Sequence, residues 1–234
     1  MTDLTIKSEP VQNYLKAIYA VTDGEHGASQ IDIATQVGVT PSGVSKMLRQ
    51  MDRQGLITYE PYRPVRLTEL GLKIALEIIR HHRLLEVYLI ESLGYTWEQV
   101  HQEAERLEHH ISEDFEDTID RLLGHPQYDP HGDPIPTRDG HIPPVVRATL
   151  ESQPDGAHLI IRRVTDEDRD LLRYLGDRGL RPGTALTLTG REPFGGSLLA
   201  TINDRQERIS PEAARHIFVE VVDAQDASRA EAQI

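Results

Sequence analysis

The sequence predicts a mainly α N-terminal half followed by a small β-barrel domain. Three observations carry that prediction. Apolar residues recur at helical spacing from Val11 to about Leu123. The stretch "GHPQYDPHGDPIPTRDGHIPP", residues 124–144, is dense in Pro, Gly and Asp and cannot form a long helix. Residues 150–222 then fall into short apolar runs separated by glycine turns. A chain of 234 residues has room for one large domain or two to three small ones.

Val11, Tyr14, Leu15, Ile18 and Val21 put one apolar face on a first helix over 10–22, with Ser8 as a cap and Pro10 in its first turn. Ile31, Ile33, Ala34 and Val37 predict a short second helix, and Gly38 permits the turn after it. Thr40 before Pro41 is a strong helix start and Gly55 a strong stop, so "TPSGVSKMLRQMDRQG" is the third helix. Its core side is Val44, Met47, Leu48 and Met51. "LITYE" and "VRLTE" flank "PYRP" and predict a small hairpin. A helix then runs from Thr68 or Glu69 to about Ser92, and another from Thr96 to about Leu123. Residues 124–144 read as a linker. Beyond it, "HLIIRRV", "TALTLT", "SLLATI" and "IFVEVV" are strands and "DEDRDLLRYLGDRG" a helix, which suits a barrel of about five strands. Gly183, Gly195 and Gly196 mark turns, and Phe194 and Phe218 are expected to pack. The tail "AQDASRAEAQI" has little to bury and is expected to fray.

No apolar run approaches the ~20 residues of a membrane helix, and "MTDLTIKSEP" lacks the basic start and apolar stretch of a secretory signal. A cytoplasmic location and no membrane partner are expected. With no cysteine there is no disulfide and no thiolate metal site, so any metal is held by His, carboxylate, amide or carbonyl groups. A net charge of −13 argues against a globally basic nucleic-acid binder. The charge is uneven, however. Residues 40–66 hold five Lys/Arg against Asp52 and Glu60, whereas residues 73–125 hold five against twelve Asp/Glu. A local basic surface is what phosphate contact needs.

Helix, turn, helix with a Thr-Pro start, then hairpin is the order of a winged helix-turn-helix. Such a unit sets the N-terminal residues of its recognition helix against base edges in the major groove. Here these are Thr40, Ser42, Gly43, Ser45 and Lys46; the small ones allow close approach, while Lys46 and Arg49 can reach bases or phosphates. Tyr62, Arg63 and Arg66 sit on the wing, where phosphate contacts are expected. The bland alternative is a helical domain with solvated basic residues; the order of the features favours DNA binding.

The stretch "QVHQEAERLEHHISEDF" carries His101, Glu105, Glu108 and His109 at i, i+4, i+7 and i+8, one face of a helix. His110 points about 100° away. "HHRLLE" adds His82 and Glu86 at i and i+4. Imidazoles and carboxylates suit hard or borderline divalent ions. Glu103, Glu113 and Glu116 are expected to be merely solvated. Because a helical E-x-x-H pair also occurs in di-iron carboxylate enzymes, the cluster by itself permits an enzyme.

The block "YLKAIYAV…IATQVGVTPSGVSKMLRQMDRQGLI", the segments "HHRLLE", "VHQEAERLEHH" and "DPHGDPIP", and the C-terminal region together resemble the diphtheria toxin repressor family of metal-dependent transcription regulators, over nearly the whole chain. The resemblance outweighs the enzyme reading and a metal-insensitive winged-helix reading. It implies a winged helix-turn-helix over 1–72, a helical dimerisation and metal-binding domain over 73–145, an SH3-like domain over 146–223 and a tail over 224–234. It implies a non-catalytic homodimer that binds a palindromic double-stranded DNA operator when loaded with manganese(II) or iron(II), most simply as a repressor of metal-uptake genes.

Two metal sites are implied as well. One maps to Glu105, Glu108, His109 and a first-helix residue. The other maps to His82, Glu86 and His101, completed by a C-terminal carboxylate for which Asp168 is the best positional match and Glu167 and Asp170 are rivals. Glu105 stands where iron-type members carry Cys and manganese-type members carry Glu, so manganese is the expected cofactor and iron(II) the runner-up. The first-helix ligand, Asp or Met in the family, is here Asn13, with Glu9 as an alternative. Manganese-type members often add an acid one turn later, where this chain has Lys16, which cannot ligate while protonated and opposes a second ion nearby. The SH3-like module lacks the aromatic groove of Pro-peptide readers, so its expected roles are to donate a metal ligand and to stiffen the dimer.

Overall fold

A computed structural model describes residues 8–22, 27–166 and 168–223. The expectations for Glu167 and for the tail from residue 224 lie outside the described residues. The chain forms two compact units. The first comprises the chain up to His82 with Glu105–Thr118 and Pro136–Ile142; the second comprises Arg83–Ala104, Ile119–Ile135 and the chain from Pro143 onward.

The first unit opens with α1 (Glu9–Val21), α2 (Gln30–Val37) and α3 (Pro41–Arg53), followed by a hairpin of β1 (Ile57–Thr58) and β2 (Arg66–Leu67). Ser29 caps α2 by accepting from the Asp32 N–H, and Gly38, at φ +71°, ends it in the left-handed region open to glycine. Val11, Leu15 and Ile18 from α1, Ile33 and Ala34 from α2, and Val44, Leu48 and Met51 from α3 close on Leu56 and Val65 in one core. Burial of each Val, Leu, Ile or Met side chain among these contributes about 1.5–3 kcal/mol. The hairpin is antiparallel, pairing Ile57 with Leu67. It meets the start of α4 (Glu69–Leu93) backbone to backbone: a Cβ on Gly71 would lie 1.9 Å from the Leu56 carbonyl oxygen.

The single helix expected from Thr96 to Leu123 is two, α5 (Val100–Leu107) and α6 (Glu113–Leu122). Ser112 starts the second by accepting from the Phe115 N–H, with Glu113, Asp114 and Glu116 in the first turn. Those acids favour the positive N-terminal end of a helix and stabilise a new start there. Glu108 and His109 therefore lie in the turn between two helices, not on a continuous face.

The second unit is built on an antiparallel sheet of β3 (His158–Val164), β4 (Ala185–Arg191), β5 (Leu198–Ile202), β6 (Arg205–Ile209) and β7 (Ile217–Val221), with α7 (Arg169–Asp177) after β3 and α8 (Pro211–Arg215) after β6. The strand order is β6-β5-β4-β3-β7, and the sheet is not closed, which corrects the barrel expectation. Pro211 turns the chain into α8 directly after β6, and β7 then joins β3 at the far edge. β6 was not expected because "RQERI" lacks an apolar alternation; its pairing with β5 follows a tight turn in which Asn203 and Asp204 both have positive φ. Leu159, Ile161, Leu172, Leu175, Leu186, Leu188 and Val219 form the core with Trp97. Phe218 packs beneath the Arg163 guanidinium, 3.6 Å from its ring centre, but Phe194 is fully exposed, against expectation. No helix among the described residues is long and apolar enough to cross a membrane.

Candidate metal centres and nucleic-acid face

The start of α3 presents Thr40, Ser42, Gly43, Lys46 and Arg49 to solvent, as the helical spacing requires once Val44, Leu48 and Met51 face the core. The Thr40 side chain makes no cap bond; its Oγ1 lies 3.2 Å from Ser42 Oγ, so both hydroxyls stay at the exposed end. Ser45 is half-buried, with its hydroxyl donating to Gln30 Oε1 of α2. On the wing, Asp52 accepts from the Tyr59 N–H, and the Arg63 N–H closes a turn onto Glu60. This turn puts Tyr62, at φ +65°, fully in solvent beside exposed Arg63 and Arg66. Hydroxyls, a glycine and cations thus share one unit in the arrangement a duplex can be read by.

A first cluster of ionisable groups lies wholly within the first unit. Lys16 Nζ donates to Glu105 Oε1 at 2.6 Å and to both oxygens of Glu108 at 2.8 Å. His82 Nδ1 lies 2.5 Å from Glu108 Oε2, and Glu108 is fully buried. His109 Nδ1 donates to Gln12 Oε1 at 2.8 Å, while its Nε2 is 3.4 Å from Glu108 Oε1. The first-helix side chains that reach the cluster are therefore Gln12 and Lys16, at i and i+4 on one face of α1. Asn13, one step around the helix, is exposed. Glu9 pairs instead with His110 on the surface, so His110 is turned away as the spacing predicts.

Burial opposes the Lys16 ammonium, but Glu108 and Glu105 outweigh it and hold its pKa above the ordinary value. Burial likewise opposes the Glu108 carboxylate, and His82 and Lys16 reverse that and hold its pKa low. Burial and Lys16 together push His109 down. One ligand atom each of His82, Glu105 and Glu108 lie within 4.8 Å of one another, a donor set of the right chemistry. The ammonium is bonded to both carboxylates, so a divalent ion there would meet a fixed positive charge. Glu116, expected to be solvated, is buried in the same unit between Arg80 and His81.

A second cluster lies within the second unit. His101 Nδ1 is 3.2 Å from Glu86 Oε1 and 3.1 Å from Asp166 Oδ2. Asp166 lies two residues past the end of β3. Asp168, the expected carboxylate, is exposed and caps α7 instead, its Oδ1 accepting from the Asp170 and Leu171 N–H groups. Asp170 pairs with Arg173. His82, one helical turn before Glu86 on α4, has its Nδ1 on Glu108 Oε2.

The supposed linker supplies two more groups. Asp129 Oδ1 accepts from the N–H groups of His131 and Asp133, which folds "DPHGDPIP" into a tight loop. Gly132 belongs at φ +89° there, because a Cβ would lie 1.9 Å from the Arg162 carbonyl oxygen. His131 Nε2 donates to the Trp97 carbonyl oxygen, and its Nδ1 lies 3.7 Å from Glu86 Oε2. Asp129 Oδ2 and His131 Nδ1 are buried with no hydrogen-bond partner among the described residues. One donor atom each of Glu86, His101 and Asp166 lie within 4.8 Å of one another, as do those of Glu86, Asp129 and His131.

Charge decides whether an ion fits this second set. Glu86, Asp129, Asp133 and Asp166 face Arg83, which pairs with Asp129 and Asp133, and Arg163, which pairs with Asp133. With both imidazoles neutral, two negative charges are left over. Protonation of His101 and His131 would meet that demand in the absence of metal. Burial opposes the charged imidazoles, but Asp166 and Glu86 hold His101 up to about 11, and Glu86 and Asp129 hold His131 up to about 9. Burial alone would raise Asp166, yet His101 brings it down to about 2. Burial and the crowding of like charges push Asp129 up. One divalent cation supplies the charge of those two protons, and the oxygen and imidazole donors suit it. Sequence reasoning missed Asp129, His131 and Asp166; a His between two Asp in "DPHGDP" was the available signal.

Three family descriptions match the chain: "Iron dependent repressor, N-terminal DNA binding domain" over residues 7–65, "Iron dependent repressor, metal binding and dimerisation domain" over 68–137, and "FeoA domain" over 148–221. The iron-dependent repressor IdeR of Mycobacterium bovis is 30% identical over 229 residues, spanning 92% of this chain and 98% of that one. The HTH-type transcriptional regulator MntR of Geobacillus kaustophilus is 34% identical over 119 residues, 51% of this chain and 84% of its own. Among solved structures, a manganese-dependent transcriptional repressor in complex with manganese is similar at a TM-score of 0.83 and 36% identity, covering 91% of this chain and 100% of that one. The manganese regulator SloR is similar at 0.73 and 30% identity, covering 91% and 98%.

Proposed function

The chain belongs to the iron-dependent repressor family of metal-dependent transcriptional repressors, and on that premise we propose that it binds a double-stranded DNA operator as a homodimer in response to manganese(II). The observation that carries the metal response is the excess of carboxylate over cation around Glu86, His101, Asp166, Asp129 and His131. These residues would hold the ion, and its contribution when bound is charge: it neutralises carboxylates that otherwise need protons. Carboxylate-rich, sulfur-free donors favour manganese over softer ions. The likeness to a manganese-bound repressor supports the same choice, and the likeness to IdeR keeps iron(II) as the second reading. Glu105, the position that separates the two metal classes by resemblance, bonds Lys16 and does not decide between them.

On DNA, α3 places Ser42, Gly43 and Lys46 toward base edges, while Arg49, Arg63 and Arg66 meet phosphates. A homodimer sets two such helices on half-sites about 34 Å apart or a multiple of that. Leu93 and Leu122, apolar and exposed in one copy, suit a second copy. The metal ion need not touch DNA; it favours the conformation that binds, with a coupling of about 1–3 kcal/mol. In a cell this closes a feedback loop, silencing metal-uptake genes when metal is plentiful.

The test is operator affinity in manganese, iron(II) and chelator, for the wild type and Glu86→Gln. Tight binding in manganese, weak binding in chelator and loss of the difference in Glu86→Gln are expected. Equal binding by the wild type in manganese and chelator would replace this reading with a metal-insensitive winged-helix protein.

A further inference from the structure

We propose that Lys16 is the resident cation of the cluster formed by Glu105, Glu108, His82 and His109, and that this cluster takes no divalent ion. A lysine ammonium has three N–H donors. Three carboxylate oxygens lie at bonding distance from Lys16 Nζ, at 2.6, 2.8 and 2.8 Å, so its hydrogen-bonding capacity is matched within this one cluster. Glu108 is fully buried and shares its two oxygens between Lys16 and His82. Withdrawing the ammonium would leave that carboxylate in the interior against the His82 and His109 imidazoles. An incoming ion would meet a fixed positive charge already seated on both of its carboxylate ligands.

The consequence is mechanical as well as electrostatic. Lys16 ties α1 to the end of α5 and the turn after it, a link that needs no metal. His109 adds to it through Gln12. Metal control is then left to the Glu86, His101 and Asp166 cluster, and each chain takes one regulatory ion where two cages of donors exist. That count rests on the proposed function; the assignment of Lys16 does not.

Manganese binding to the full chain, counted by equilibrium dialysis, tests the assignment. Lys16→Gln removes the cation and keeps the donors, so it should bind one more manganese per chain than the wild type. Glu105→Gln should leave the wild-type count unchanged and remove the extra ion from the Lys16→Gln chain. Equal counts in the wild type and Lys16→Gln would overturn the assignment, as would a fall in the wild-type count on Glu105→Gln alone. Should Lys16→Gln fail to fold, the Glu105→Gln count in the wild-type background still decides. A wild type that binds no manganese would sink the proposed function but leave the Lys16 comparison readable, because that comparison is a difference between two chains.

Discussion

Glu116 shows how far a charged side chain can be from the surface role its sequence suggests. It is 3% exposed, bonded by Arg80 Nε and by His81 Nε2. Glu116→Ala strands both partners in the interior and should cost about 3–5 kcal/mol in urea denaturation, the usual loss on breaking a buried pair. The pH dependence has a definite sign. Burial raises Glu116, but His81 and Arg80 outweigh it and hold the folded value below 4.5. Its contribution is therefore present above that value and drains away as pH falls below it. Glu116→Gln should flatten this acid limb, and an unchanged limb would mean that the pairing contributes nothing. A second contrast separates two nearby acids. Asp168→Ala removes a helix cap and should cost about 1 kcal/mol while manganese binding survives. Asp166→Asn should weaken manganese binding in a calorimetric titration. The reverse pattern would restore Asp168 as the ligand. Sequence spacing could not separate the two, because which acid faces His101 depends on where β3 ends and α7 is capped.

Elements were legible in the sequence where local chemistry and tertiary packing agree. Pro41, Gly38 and the apolar faces of α1 and α3 mark the reading unit unambiguously, since each element there has its own start, stop and stripe. The reading failed where a polar segment is organised by distant partners. β6 has only Ile209 to pack and exists because β5 offers it a ladder. The loop of "DPHGDPIP" looks like a linker because its composition breaks helices, yet it buries Asp129 and His131. The α5–α6 break was missed because helical spacing of His101, Glu105 and Glu108 continues through a turn. The wing, by contrast, supports a prediction at its own scale. Arg63 is exposed beside a fully exposed Tyr62 at the hairpin tip. Arg63→Ala should weaken binding to all duplexes and lower the slope of log affinity against log salt by about one. Ser42→Ala and Lys46→Ala on α3 should instead change which operator bases are preferred. A changed preference with an unchanged salt slope in Arg63→Ala would move the wing from phosphate to base contact.

At the level of the whole molecule, metal and DNA must pull on the same equilibrium. If manganese raises operator affinity by some factor, operator raises manganese affinity by that same factor, because the two routes to the doubly loaded dimer share their end points. A factor of about 5–150 is typical of such couplings. The measurement closes a square: operator affinity with and without manganese, and manganese affinity with and without operator, all at a protein concentration that keeps the dimer intact. Equal factors on both sides are expected, and both should collapse to one in Glu86→Gln, which removes a metal donor without touching α3 or the wing. Both should persist in Glu105→Gln, whose side chain meets Lys16 and not the regulatory ion. The square can fail to close in an informative way. A manganese effect on operator binding that vanishes once protein concentration is raised would mean that the ion works by assembling the dimer. The coupling would then belong to the contact between copies, and Leu93 and Leu122, not the reading helix, would be the place to look for its energy.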